Sequence, residues 1–173
     1  VGGLAVSARV GPRFTRDIDL AVSVSTDRQA EEIVHGMVSS GYQIELDIEQ
    51  TGTGRLSTTR LVRPEEPRVF VDLLFAASGI EPEIVECAEA IDVLGVTVRV
   101  ATLGHLIAMK VLCRDDEDRP RDREDLVQML RAAGAEDLEA ARRALELIRE
   151  RGFHRGRDLA SELAQAERDL RKK

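Results

Sequence analysis

The first hundred residues alternate between strand-like and helix-like patterns of hydrophobic positions. Residues 17–24 (DIDLAVSV) alternate polar and apolar side chains, which is typical of a strand. Residues 68–76 (RVFVDLLFA) are nearly all apolar, which predicts a central strand of a sheet. The pattern also predicts a helix over 4–9, a helix over 28–40 capped by Thr26 or Asp27, antiparallel strands over 43–48 and 55–62, a short helix over 82–88 and a hairpin over 90–100.

From residue 102 onward the pattern changes to that of helices. Helices are predicted over 103–113, with Thr102 as the cap, and over 121–133, 137–151 and 155–171. We therefore expect an α/β (α+β) fold in two parts, an α/β core over 1–100 and a helical subdomain over 101–173.

Composition narrows the class of protein. The 173 residues suffice for one domain with a small appendage, and the net charge of -7 argues against a protein that coats nucleic acid. Two cysteines, Cys87 and Cys113, are too few for a disulfide framework, so we expect a reducing cytoplasm. No apolar run is long enough for a membrane span, so we expect no membrane partner. The chain begins at Val1 instead of Met, and we expect that a native N-terminal segment is missing.

Two aspartates near the start carry the clearest chemical signal. Asp17 and Asp19 are two residues apart on a predicted strand, so their carboxylates lie on the same face. Their mutual repulsion is relieved by a divalent cation, and Mg²⁺ prefers such oxygen ligands. Gly2 and Gly3 precede a predicted helix, where free backbone N–H groups favour a phosphate. The alternative is a solvated edge strand that follows an ordinary glycine turn.

A third carboxylate interrupts the most apolar strand. Asp72 lies within VFVDLLF, where an ionised side chain needs a metal, a cation or a proton. If the two strands are neighbours, Asp72 faces Asp17 and Asp19 and completes a three-carboxylate metal cage. The alternative is an aspartate at a strand end that pairs with Arg68 or caps a loop.

These residues resemble the signature of the nucleotidyltransferase superfamily related to DNA polymerase beta. The signature is an apolar residue, Gly, then Gly or Ser, a spacer, and Asp-apolar-Asp-apolar, with a third Asp on a later strand. Val1-Gly2-Gly3, residues 17–20 and Asp72 match it. The resemblance implies a mixed sheet, two Mg²⁺ ions held by the Asp pair on a nucleoside triphosphate (NTP), and a third Asp that helps to activate the acceptor hydroxyl.

The second half resembles the AbiEii toxin branch and its MenT relatives. The matching stretches are TLGHLIAMKVL (102–112) and RPRDREDL (119–126). Carried over from that branch, a functional lysine is Lys110 and an accompanying aspartate is Asp122 or Asp125. The branch implies a toxin with a separate antitoxin, and a tRNA end as the acceptor.

Lys110 is also conspicuous on physical grounds, because Leu106 and Ile107 share its helix face. A lysine there contacts a phosphate or extends to solvent beside an acidic partner. Asp122 and Asp125 lie in a first helical turn, where acids are favoured in any case. Arg13 and Arg16 are weaker candidates for a clamp on the triphosphate.

Two charged stretches are better explained by solvation. Residues 115–118 (DDED) lack the spacing of a calcium loop. Arginines between 142 and 157 are interleaved with acids, and aromatic residues that stack on RNA bases are scarce. The leading hypothesis is a Mg²⁺-dependent nucleotidyltransferase that acts on tRNA. The alternatives are a small-molecule nucleotidyltransferase of the aminoglycoside type and a non-catalytic nucleotide-binding or interaction module of the same fold.

Overall fold

The computed structural model of the chain describes residues 1–12, 14–50, 54–65, 69–93, 95–114 and 120–172, with only the backbone for 120 and 121. The elements in chain order are α1 (Gly2–Val10), β1 (Asp17–Ala21), α2 (Asp27–Ser39), β2 (Gln43–Glu49), β3 (Leu56–Val62), β4 (Phe70–Leu74), α3 (Glu81–Glu86), β5 (Glu89–Val93), β6 (Val96–Val100), α4 (Leu103–Cys113), α5 (Pro120–Ala132), α6 (Ala135–Glu150) and α7 (Leu159–Arg171). The α/β class and the mixed sheet predicted from the sequence are confirmed.

Four strands form a mixed sheet in the order β1-β4-β3-β2. β1 and β4 are parallel, whereas β4 with β3 and β3 with β2 are antiparallel. β4 therefore lies in the interior of the sheet, as its apolar sequence predicts. β5 and β6 form the predicted hairpin as a separate two-stranded sheet.

The helix caps follow the side-chain chemistry of the sequence. Thr26, and not Asp27, caps α2 by accepting from the backbone N–H of Gln29. Thr102 caps α4 by accepting from the backbone N–H of His105. Both caps satisfy an amide that has no partner within its helix.

Strand β1 is shorter than its pattern predicts and ends at Ala21. Ile18 packs against the apolar cluster under the sheet, but Leu20 is 42% exposed. The alternation that puts Asp17 and Asp19 on one face predicts that Ile18 and Leu20 enter the core from the other, and this is wrong for Leu20, because β1 is an edge strand of the sheet.

The apolar core has two parts. One lies between the sheet and α2, where Ala30 and Leu61 are fully buried. The larger one joins α4, α5, α6 and α7, and also takes in Ala5 and Val6 of α1. The first helix thus packs with the C-terminal helices while it adjoins β1. The domain boundary at residue 100 stays a prediction.

Candidate active site

The parallel pairing of β1 and β4 brings the predicted carboxylates together. Asp17 and Asp19 alternate along β1 and share one face of the sheet. The register places Asp19 directly opposite Asp72. The condition that the two strands are neighbours is therefore met, and three acidic side chains lie on one face at one edge of the sheet.

The start of α1 encloses the carboxyl group of Asp19. Gly2 adopts a φ of 65°, and a methyl group there would overlap the Asp19 carboxyl group and lie 2.7 Å from its Cβ. The backbone N–H of Gly3 donates to the carboxyl group of Asp19, and the Val1 nitrogen donates to the Asp19 backbone oxygen at 3.0 Å. Only glycine fits at position 2, because the helix start and the carboxylate are in contact.

Asp19 lies in a negative environment. Burial is the main cause that raises the pKa of its carboxyl group above the ordinary value of 3.8, and the carboxylates of Asp72 and Asp17 raise it further. The hydrogen bond from Gly3 acts in the opposite direction. A cation placed here would favour the ionised form of Asp19.

Arg60 is a site residue that the sequence did not reveal. It lies opposite Asp72 on β3. Its Nε and Nη2 atoms donate to Asp72 Oδ1 and Oδ2 at 2.8 and 2.7 Å, and its Nη2 lies 3.6 Å from Asp17 Oδ2. The hydrogen bonds to Asp72 are the main cause that raises the pKa of Arg60, so it stays charged. The partner expected for Asp72 from the sequence, Arg68, lies outside the described residues.

The carboxylates fit a divalent cation in chemistry but do not form a closed cage. Asp17 and Asp19 place two hard oxygen donors on one face of the sheet, and Mg²⁺ prefers such ligands. However, no group of three His, Cys, Asp or Glu side chains in the described part of the chain is arranged to hold a metal ion. The described arrangement holds no three-carboxylate cage, because Arg60 binds both oxygens of Asp72. The assignment of Asp17, Asp19 and Asp72 as metal ligands stays a prediction.

Lys110 forms a second charged cluster with the two aspartates of the back motif. Its Nζ donates to Asp122 Oδ1 at 2.9 Å and to Asp125 Oδ2 at 3.0 Å. All three side chains are at most 15% exposed. The sequence allowed Lys110 either a phosphate contact or a place beside an acidic partner. The structure shows contacts of the second kind. A phosphate contact by Lys110, Asp122 or Asp125 stays a prediction.

The arginines before β1 differ in their surroundings. Arg9 binds the backbone oxygens of Val100 and Ala101 and so joins α1 to the start of α4. Arg16 is exposed, with its guanidinium 5.8 Å from the centroid of the Phe14 ring. Arg13 and the acidic run over 115–118 lie outside the described residues.

The family model described as "Nucleotidyl transferase AbiEii toxin, Type IV TA system" matches residues 1–173. The chain belongs to the AbiEii nucleotidyltransferase toxin family. The expectation drawn from the glycine pair, the aspartates and the back motif is thereby confirmed. A search of curated proteins gave no significant match.

A search of solved structures found matches of low sequence identity. An antigenic nucleotidyltransferase-like protein from Paracoccidioides brasiliensis is 20% identical, with 94% of this chain and 82% of that chain covered and a TM-score of 0.46. A proposed nucleotidyltransferase from H. pylori is 14% identical, with 98% of this chain and 83% of that chain covered and a TM-score of 0.43.

In the part of the AbiEii-family chain that the structure describes, no helix is long and apolar enough to span a membrane.

Proposed function

We propose that this chain is a Mg²⁺-dependent nucleotidyltransferase that transfers a nucleoside monophosphate from an NTP to a hydroxyl acceptor and releases pyrophosphate. The observation that carries the proposal is the register of Asp19 opposite Asp72, with Asp17 on the same face and Gly2 against the Asp19 carboxyl group. Family membership supports the same class of reaction.

In the proposed step, the acceptor oxygen attacks the α-phosphorus. The bond from that phosphorus to the oxygen bridging to the β-phosphorus breaks, and pyrophosphate leaves with the electron pair. Asp17 and Asp19 would hold two Mg²⁺ ions, and Asp72 would act as a third ligand and accept the proton of the hydroxyl group. Bound Mg²⁺ would supply charge neutralisation on the phosphates.

The phosphate contacts are assigned by position. Gly2 and Gly3 lie at the start of α1, where backbone N–H groups favour an anion, although the N–H of Gly3 must first exchange the Asp19 carboxyl group for a phosphate. Arg16 is exposed and directly precedes Asp17 in the chain. Arg13 and Lys110 complete the proposed set, although Lys110 must first exchange at least one of its carboxylate partners for a phosphate.

For the acceptor, we propose a tRNA end, as the resemblance to the toxin branch implies. We also propose a separate antitoxin as a partner, which the description of the family as a toxin of a type IV TA system supports. One observation favours the second candidate, a small hydroxyl compound of the aminoglycoside type. The basic face of α6 is neutralised: Arg142 is paired with Glu139 and Glu167, Arg143 with Glu139, and Arg149 with Glu146. This face therefore offers little net positive charge to an RNA backbone.

The activity test is transfer of label from NTPs labelled at the α-phosphate, with Mg²⁺ and either bulk tRNA or an aminoglycoside. The wild type is compared with an Asp17→Ala, Asp19→Ala double variant and with Asp169→Ala, a control at an exposed position of α7. Transfer by the wild type and the control alone supports catalysis at this site. NTP binding without transfer to either acceptor favours a non-catalytic module, and transfer by all three proteins shows that the site is elsewhere.

The toxin role has a separate test in cells. Expression of the full-length gene is expected to arrest growth, and co-expression of a neighbouring gene is expected to cancel the arrest. Normal growth, with transfer to a small molecule in the first assay, would favour the second candidate.

A further inference from the structure

Arg60 occupies the place at which a cation would meet the three carboxylates. It lies directly opposite Asp72 across the β3–β4 pairing, and both Asp72 oxygens accept hydrogen bonds from it. The same Nη2 atom reaches Asp17 at 3.6 Å. Asp72 is only 11% exposed in this arrangement, so the guanidinium covers much of the surface that a metal ion would use.

We propose that Arg60 is a built-in counter-ion that competes with the divalent cation, so that metal binding by the carboxylates requires Arg60 to release Asp72. The inference rests on the proposed function, because it takes the three carboxylates as the metal site. It adds a residue that controls access to that site.

Electrostatics supports a competition. A guanidinium that holds both oxygens of a carboxylate leaves that carboxylate few lone pairs for a metal. A guanidinium and Mg²⁺ also repel each other when they share one carboxylate cluster. Three carboxylates against a single guanidinium still leave negative charge at the site, which attracts the incoming ion.

Arg60 also contacts an aromatic ring in this same arrangement. Its side chain is 35% exposed, and its Cζ is 5.4 Å from the centroid of the Phe70 ring, which neighbours Asp72 on β4. An aromatic face stabilises a guanidinium that has lost its carboxylate. Release of Asp72 therefore does not leave the charge of Arg60 without a favourable contact.

The test is Mn²⁺ binding, measured by titration calorimetry and by electron paramagnetic resonance, in the wild type, Arg60→Gln and Arg63→Gln. Arg63 is the matched control, because its guanidinium lies 5.0 Å from the Tyr42 ring and donates to the Ser40 oxygen. We expect Arg60→Gln to bind Mn²⁺ about threefold to tenfold more tightly, since a partly exposed ion pair no longer has to be broken. Arg63→Gln is expected to bind as the wild type does.

The opposite results separate the two claims. Weaker or equal binding by Arg60→Gln overturns this inference, since Arg60 would then position Asp72 for the metal or play no part. Absence of Mn²⁺ binding in the wild type and in Arg60→Gln overturns the proposed function as well. Circular dichroism checks that Arg60→Gln is folded. If it is not, Arg60→Lys, which cannot bind both oxygens in the same fork geometry, decides the question with the same expected direction.

Discussion

The contact between Gly2 and Asp19 makes Gly2→Ala an informative substitution. Position 2 has a φ of 65°, where an alanine costs about 1–2 kcal/mol. Its methyl group would also lie 2.7 Å from Asp19 Cβ and closer still to the carboxyl atoms, whereas real Cβ contacts essentially never fall below 3.0 Å. Forcing a methyl group into an occupied site costs about 1–3 kcal/mol more. We therefore expect a loss of about 2–5 kcal/mol in the free energy of unfolding.

Two other glycines separate the causes of this loss. Gly41 has a φ of 95° and open space around its Cβ position, so Gly41→Ala measures the backbone cost alone, about 1–2 kcal/mol. Gly36 lies within α2 with open space and no such φ, so Gly36→Ala should stabilise the protein by about 0.5–1 kcal/mol. Urea unfolding at pH 7 gives all three values.

The same variant tests the site. Since the Asp19 side chain must move away to admit a methyl group, Gly2→Ala should also weaken Mn²⁺ binding, while Gly41→Ala leaves it unchanged. If Gly2→Ala costs no more stability than Gly41→Ala and binds Mn²⁺ as the wild type does, a methyl group at position 2 does not displace the Asp19 side chain.

Three further outcomes follow from the charges. Burial and the neighbouring carboxylates raise the pKa of Asp19, so this group favours the fold most below pH 3.8 and loses that contribution as the pH rises through the raised value. At pH 7 without metal, the free energy of unfolding of Asp19→Asn, measured with urea, should therefore be about 0.5–2 kcal/mol higher than that of the wild type. The difference should shrink toward pH 4. Burial lowers the pKa of His105, and the charge of Glu83 opposes this with a smaller effect. The contribution of His105 to the free energy of unfolding is therefore fully present above its ordinary pKa of 6.5 and is lost as the pH falls through the lowered pKa. The wild type should lose stability between pH 7.5 and 5.5 more steeply than His105→Gln, and parallel curves would contradict this. Lys110→Met leaves two buried carboxylates without their cation and should cost about 3–5 kcal/mol in urea unfolding. Adding Asp125→Asn to Lys110→Met should recover part of that loss, and no recovery would contradict the pairing.

The sequence predicted the parts of the site that depend on local pattern. The alternation of Asp17 and Asp19 fixes their common face, and the apolar run around Asp72 indicates an interior strand. That Asp72 faces the other two aspartates depended on the condition that the two strands are neighbours, and the pairing of β1 with β4 meets this condition.

The parts that depend on strand register could not be predicted. Arg60 lies opposite Asp72 because of the pairing of β3 with β4, and nothing in the local pattern of residues 55–62 distinguishes it from a solvated arginine. The exposure of Leu20 depends on β1 being an edge strand, which only the complete sheet order shows. The pairing of Lys110 with both aspartates of α5 depends in the same way on how two helices pack.

We propose above all that Asp17, Asp19 and Asp72 together bind the divalent cation needed for nucleotide transfer. The most direct measurement is the anomalous difference density of crystals grown with Mn²⁺ and a non-hydrolysable NTP. We expect a peak beside the carboxyl oxygens of Asp17 and Asp19, with the triphosphate at the start of α1 and Asp72 turned from Arg60 toward the metal. A Mn²⁺ peak away from these carboxylates, or a triphosphate bound elsewhere with the three aspartates unengaged, would contradict the account.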